Sequence, residues 1–413
     1  MAVTTSAQNL ERQSAANPPL TSDPRVSRML KHLEENADAI TEEQVRITEV
    51  PAPSFQEKER AAYIAKLLGA AGLRVETDAA GNVIGEQPGS KPGAVLLAAH
   101  LDTVFPAGTD VRVKREGGRL LAPGISDNGT GLAALVGIAR ALRDGNIKTS
   151  YTILFVADVG EEGEGNLRGM RALVEARKRQ LKYVIALDGS ATDYVTAAAL
   201  ASRRVEVVIE GPGGHSWSDF GTVNPVHAIA RGIARFVKAR VPETPRTTFN
   251  VGEIEGGTSV NSIPFRAAIK VDLRSESETE LSQLESTLRE SMKLGVGEEV
   301  AAARERGMVG GAAELHLSVS VLGIRPGGEL STDSPLMAAV EAADRQLGNR
   351  SRVERSSTDA NIPLSLGIPA ISLGGGGASG GAHSLNEWYE PAGRAMGLKR
   401  VALTLLAVAG VEP

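Results

Sequence analysis

The chain has 413 residues with six histidines and no cysteine. Any bound metal must therefore be held by imidazole and carboxylate, and disulfides, thiolate sites, iron–sulfur clusters and Cys nucleophiles are excluded. Four apolar runs, far apart in the chain, each lead into a His or a carboxylate. Residues 94–99 run into His100-Leu101-Asp102, and 151–157 into Asp158-Val159-Gly160-Glu161-Glu162. Residues 184–187 run into Asp188, and 369–373 into a glycine loop and then His383. Asp127 opens a long helical stretch and makes a fifth. In open α/β sheets ligands bind outside the carboxyl ends of the strands, so the five segments deliver their groups to one rim. Two His and three carboxylates, one of them shared, can hold two divalent ions as a co-catalytic pair. Asp102 is placed to accept the other ring N–H of His100 and so orient it. Glu161 and Glu162 are adjacent and would repel each other. The natural division is one metal ligand and one general base. Two His favour zinc over magnesium, with manganese or cobalt compatible.

The elements that must hold these groups are legible from periodicity. Residues 1–24 are polar, lack an apolar signal core, and read as a flexible tail. Residues 26–66 read as two helices separated by Pro51 and Pro53. A hairpin turns around Gly81-Asn82, and helices are expected over 129–143 and 167–178. Asp127 stands at the start of the first of these, where an acceptor side chain is favourable. From about residue 202 the texture changes to a βαββαβ order, the ferredoxin-like pattern, with one helix expected over 225–240 and another over 278–294. The α/β pattern returns after Pro326, with a helix over 334–347, a strand over 369–373 and a last helix near 391–408. The fold expected is an α/β catalytic domain with a mixed sheet, over 25–201 and 326–413. It is interrupted by an inserted α+β lid or dimerisation domain over 202–325.

Taken in order, His100-Leu101-Asp102-Thr103-Val104, Ser126-Asp127-Asn128-Gly129, Glu161-Glu162, Asp188 and His383 resemble the motifs of a known family. It is the dinuclear zinc exopeptidases and amidohydrolases that include carboxypeptidase G, peptidase T and the aminoacylases. The resemblance runs from about Val26 onward and takes in the inserted domain. It implies that His100, Asp127 and Asp188 hold one zinc, and Asp127, Glu162 and His383 the other, with Asp127 bridging. It implies Glu161 as general base and Asp102 as the group orienting His100. In the insert, Gly213-Gly214-His215-Ser216 resembles the segment whose His reaches the scissile carbonyl, often across a dimer. Asn261 resembles a lid Asn that contacts substrate, and Ser357-Thr358-Asp359-Ala360 resembles a stretch beside the site, which makes Asp359 a substrate-contact candidate. The chain departs from the pattern at Asp127-Asn128-Gly129-Thr130, closer to lidless aminopeptidases, and at Phe105 and Ser357.

Other residues carry open readings. Arg203, Arg204 and Arg274 are candidates for a substrate carboxylate or for pairing with surface acids. His32, His227 and His316 read as bystanders. The glycines of 374–381 fit G-x-G-x-x-G but lack the βαβ placement of a dinucleotide site. They read instead as backbone that passes close to the metal site and swings His383 in.

With 45 Lys+Arg against 50 Asp+Glu the formal net charge is −5, no footprint for nucleic acid, and no apolar run is long enough for a membrane. The expectation is a cytoplasmic dizinc hydrolase, a homodimer through the lid, cleaving an amide bond of small peptides as a peptidase T-like exopeptidase. The alternative is an N-acyl-amino-acid deacylase on the same metals. A non-catalytic binding protein is the rival from another class.

Overall fold

The computed structural model describes residues 19–413. The chain divides into two compact units. One holds the chain up to Ala198 together with Glu329–Pro413, and the other is Ala199–Gly328.

The main sheet of the first unit is built chiefly from β1 (Arg74–Thr77), β2 (Val83–Gln87), β3 (Lys91–His100), β4 (Tyr151–Asp158), β5 (Leu181–Leu187), β6 (Tyr194–Ala199), β7 (Arg352–Ser356) and β8 (Ala370–Leu373). They lie in the order β1-β2-β4-β3-β5-β8-β6, with β7 beside β6. The four central strands are parallel. Leu96 sits opposite Leu154 and Val184, and Ile371 opposite Ile185. β1, β2 and β6 run antiparallel to their neighbours. The central runs are apolar without alternation because both faces are covered: Val95, Leu96, Leu97, Phe155 and Val156 are fully buried. Each such side chain contributes roughly 1.5–3 kcal/mol. Parallel alignment also gives β3, β4, β5 and β8 a common carboxyl edge.

Three helices, not two, precede the sheet: α1 (Pro24–Glu35), α2 (Ala37–Thr48) and α3 (Lys58–Ala70). The break falls at Asn36, whose side-chain amide donates to the His32 carbonyl at 2.8 Å and closes α1. Of the tail expected over 1–24, residues 1–18 lie outside the described residues. Leu20–Ser22 form a 3-10 turn and Asp23 caps α1 by accepting from the Arg25 N–H. Helix α4 (Gly129–Asp144) is buried nearly all round, and its cap is Asn128, which accepts from the Gly131 N–H. Asp127, one residue earlier, is thereby left for other work. Then come α5 (Arg168–Arg177), α6 (Pro335–Leu347) and α7 (Arg394–Ala409).

In the second unit, strands Thr247–Gly256, Arg266–Ser275, Ala201–Glu210 and His316–Arg325 lie side by side in that order, all antiparallel. Helices Pro225–Phe236 and Glu278–Glu305 pack on them. Val205, Val207, Ile209, Phe236, Leu281 and Met292 belong to their shared core. This is the ferredoxin-like arrangement. The second helix runs well past residue 294. Gly295 and Gly297 look like stop signals, yet a Cβ on Gly295 would lie 2.5 Å from the Gly232 nitrogen. The glycine is needed for helix-to-helix approach rather than for termination. No described helix is long and apolar enough to cross a membrane.

Candidate metal centre

The common carboxyl edge of the first unit gathers the expected groups. β3 ends on His100, the turn before α4 carries Asp127, and the loop after β4 carries Glu161 and Glu162. Asp188 follows β5, and the loop after β8 brings His383. Three triads have ligand atoms within 4.8 Å of one another: His100–Asp127–Asp188, His100–Glu161–Glu162 and Asp127–Glu162–His383. Asp127 stands between the two rings. His100 Nε2 is 3.1 Å from its Oδ1, and His383 Nε2 is 3.1 Å from its Oδ2 and 2.9 Å from Glu162 Oε1.

The donor set fits a pair of cations. His100 Nδ1 lies 3.0 Å from the Asp102 carbonyl oxygen, which can only accept. That contact places the ring proton on Nδ1. Nε2 then aims a lone pair at Asp127 Oδ1, itself buried with no hydrogen-bond partner among the described residues. Two acceptors at that distance require a proton or a metal between them. Electrostatics gives the same account. Burial works against charge on His100, yet the Asp127 contact and the surrounding carboxylates hold its pKa well above the usual value. Contacts with Asp127 and Glu162 lift His383 to about 10. Burial first, and then the Asp127 charge, push Asp188 up to about 7. These are the shifts of a site built around positive charge that its side chains do not supply.

Asp102 departs from its expected part. The His100 ring meets its main-chain carbonyl, while the nearer carboxylate oxygen is 3.8 Å from Nδ1. The carboxylate instead accepts from the Glu161 and Glu162 N–H groups at 2.9 and 3.0 Å and from the Ser54 hydroxyl at 2.6 Å. One fully buried acid thus orients His100 through its backbone and fixes the Glu161-Glu162 pair through its side chain.

Sequence reasoning missed Glu387. It is fully buried, and Oε1 accepts from the Ser126 and Asp127 N–H groups and the Ser126 hydroxyl at 2.7–2.9 Å. Oε2 accepts from the Gly124 N–H at 2.8 Å. Its position four residues after His383, in the same returning loop, was the available signal. Glu387→Gln leaves one of these N–H groups without an acceptor. It is expected to lower metal affinity about 10–100-fold, read by titration of the metal-free protein.

Asp359, expected to contact substrate, is buried beside Asp158. Burial first, and then the Asp158 charge, raise its pKa well above the ordinary range. The cavity next to the site is lined by Thr358 rather than Asp359. The glycine loop passes close to backbone on two sides: a Cβ on Gly374 would lie 2.2 Å from the Ala191 carbonyl oxygen, and one on Gly397 in the last helix 2.2 Å from the Gly376 Cα.

In the second unit Gly214-His215 pairs with Ser262-Ile263. The Ser216 N–H donates to the Asn261 carbonyl at 2.9 Å, which places Asn261 beside His215. His215 Nδ1 accepts from the Trp217 and Ser218 N–H groups at 3.2 and 3.3 Å, so the ring proton sits on Nε2 and faces outward as a donor. Arg274 donates to Asp272 on its own strand at 2.6 Å, and Arg203 pairs with Glu285 and Glu278. The guanidinium groups are engaged by surface acids.

Residues 96–407 match the model of the peptidase family M20/M25/M40. Protein YqjE of Bacillus subtilis is 26% identical over 82% of this chain and 90% of its own length. Acetylornithine deacetylase of Klebsiella pneumoniae is 28% identical over 73% of this chain and 77% of its own. The crystal structure of aminopeptidase PepT from Bacillus cereus has the same fold, with a TM-score of 0.68 at 24% identity over 91% of this chain and 99% of that one.

Proposed function

Because the chain belongs to the peptidase family M20/M25/M40, whose members are hydrolases of peptide or amide bonds, we propose that it cleaves small peptides as an exopeptidase at a dizinc centre. His100, Asp127 and Asp188 would hold one ion, and Asp127, Glu162 and His383 the other. The observation that carries the reading is Asp127 set between two imidazole nitrogens, each at 3.1 Å.

Two divalent ions held there would supply Lewis acidity and would lower the pKa of water enough for it to give up a proton near neutral pH. The chain does the rest. Glu161, held by the Asp102 carboxylate through its N–H, accepts the proton of the attacking water and delivers it to the leaving nitrogen. His215 offers its Nε2–H to the carbonyl oxygen as negative charge builds there. The second unit serves as the lid and dimerisation element that presents His215 and Asn261. His215→Ala is expected to lower kcat about 10²–10³-fold without changing bound metal. An unchanged kcat removes His215 from the reaction.

The experiment that tests the reading is metal removal. Chelator-treated protein is expected to lose tripeptide hydrolysis and to regain it with zinc, cobalt or manganese. Failure of every metal to restore cleavage of any peptide or N-acyl amino acid ends the hydrolase reading. The similarity to acetylornithine deacetylase favours one second reading, N-acyl-amino-acid hydrolysis. Faster turnover of N-acyl amino acids than of tripeptides would select it.

A further inference from the structure

Beside the metal centre the first unit holds a half-open cavity of about 670 Å³ that borders Asp127 and Asp188. Its wall is unusual in composition. Eight lining residues are Ser or Thr, and none is an aliphatic residue larger than Ala. All its charged residues are acids, Asp127, Asp188, Asp193 and Glu354, with no Lys, Arg or His. Asp127 and Asp188 belong to the metal set, so Asp193 and Glu354 are the carboxylates left to meet a ligand.

Both are partly exposed and pair with an exposed cation. Arg352, outside the lining, donates to Asp193 at 2.7 Å and to Glu354 at 2.8 Å. A guanidinium shared between two carboxylates leaves one negative charge uncompensated at the wall. Burial first, and then the charges of Asp188, Glu354 and Asp193, raise the pKa of the Tyr194 phenol, which also lines the cavity, to about 12.

An apolar side chain entering this space meets no aliphatic group larger than alanine and covers hydroxyls that lose their water. An anion meets like charge. An ammonium or guanidinium brings several donors to a wall rich in hydroxyl and carboxylate acceptors. Resting on the hydrolase reading of the adjoining metal site, the geometry points to a specificity pocket for a cationic side chain, that of a lysine-, ornithine- or arginine-like residue next to the scissile amide.

The test reads binding, so it does not depend on turnover. The metal-loaded full-length chain is titrated calorimetrically with lysine, norleucine and glutamate. All three carry the same α-groups, so only the side chain differs. Lysine is expected to bind about five-fold or more tighter than norleucine, and glutamate weakest. Combining Asp193→Asn with Glu354→Gln is expected to bring lysine and norleucine within about two-fold of each other. Arg352→Ala, which removes the counter-charge, is expected to widen the gap. Lysine binding no tighter than norleucine, no lysine binding at all, or an Arg352→Ala variant with a narrower gap overturns the pocket. Peptide hydrolysis assayed alongside judges the hydrolase reading separately.

Discussion

Glu161→Gln is expected to lower kcat about 10²–10⁴-fold, the usual cost of removing a general base, while metal content and fold stay as they are. Glutamine keeps the size of the side chain and leaves the main chain untouched. The Glu161 N–H therefore still reaches Asp102 Oδ1, and Glu162 still reaches Oδ2. The variant loses the ability to take a proton from water and hand it on. The measurement is a pair of numbers, kcat and metal per chain. Full metal with kcat within a few-fold of wild type sinks the assignment of Glu161 as base. Loss of metal would move Glu161 from base to ligand, and the triad His100–Glu161–Glu162 makes that a real alternative outcome.

Asp127→Asn should have the larger effect on metal. Asp127 contributes one oxygen toward His100 and the other toward His383, so one amide substitution weakens both proposed ion sites. Losing the Lewis acids removes several kcal/mol of transition-state stabilisation, about 10³-fold or more in rate. The expected result is loss of both ions on dialysis, with activity not restored at ordinary metal concentrations. Retention of one tightly held ion per chain would show that Asp127 serves a single site. The variant should fold, because Asn128 caps α4 and Glu387 accepts the main-chain N–H of residue 127. Neither contact uses the Asp127 carboxylate.

The groups at the ends of β3, β4, β5 and β8 were legible because fully buried parallel strands leave continuous apolar runs, and the residues just after those runs must lie on one edge. The supporting contacts were not legible. Glu387 works by accepting main-chain N–H groups from a loop more than two hundred residues earlier, and a contact with backbone leaves no pattern in residue type. The Asp102 side chain was misdirected for a related reason. Its spacing from His100 is right for either the carbonyl or the carboxylate, and only the fold shows that the carboxylate is taken by Glu161 and Glu162. Strand β6 was unread because only Tyr194-Val195-Thr196 carry strand signal, and Ala197-Ala198-Ala199 carry little. The long helix of the second unit was cut short in the reading because glycine marks both helix ends and close helix contacts.

The interrupted first unit has a consequence for how the protein is made. Strand β8 registers Ala370 against Val184, and the whole second unit lies between them in the chain. The parallel sheet cannot close until Leu373 has left the ribosome, whereas the second unit, Ala199–Gly328, is complete earlier and can fold as a unit. Until then β5 has an unpaired parallel edge at its apolar centre, the kind of surface that aggregates in slow-folding sheets. His383 and Glu387 are translated later still. The proposed metal set is thus completed only after the second unit and strand β8 have been made. Chains cut before Ala370 should have a folded insert, an open sheet and no bound metal.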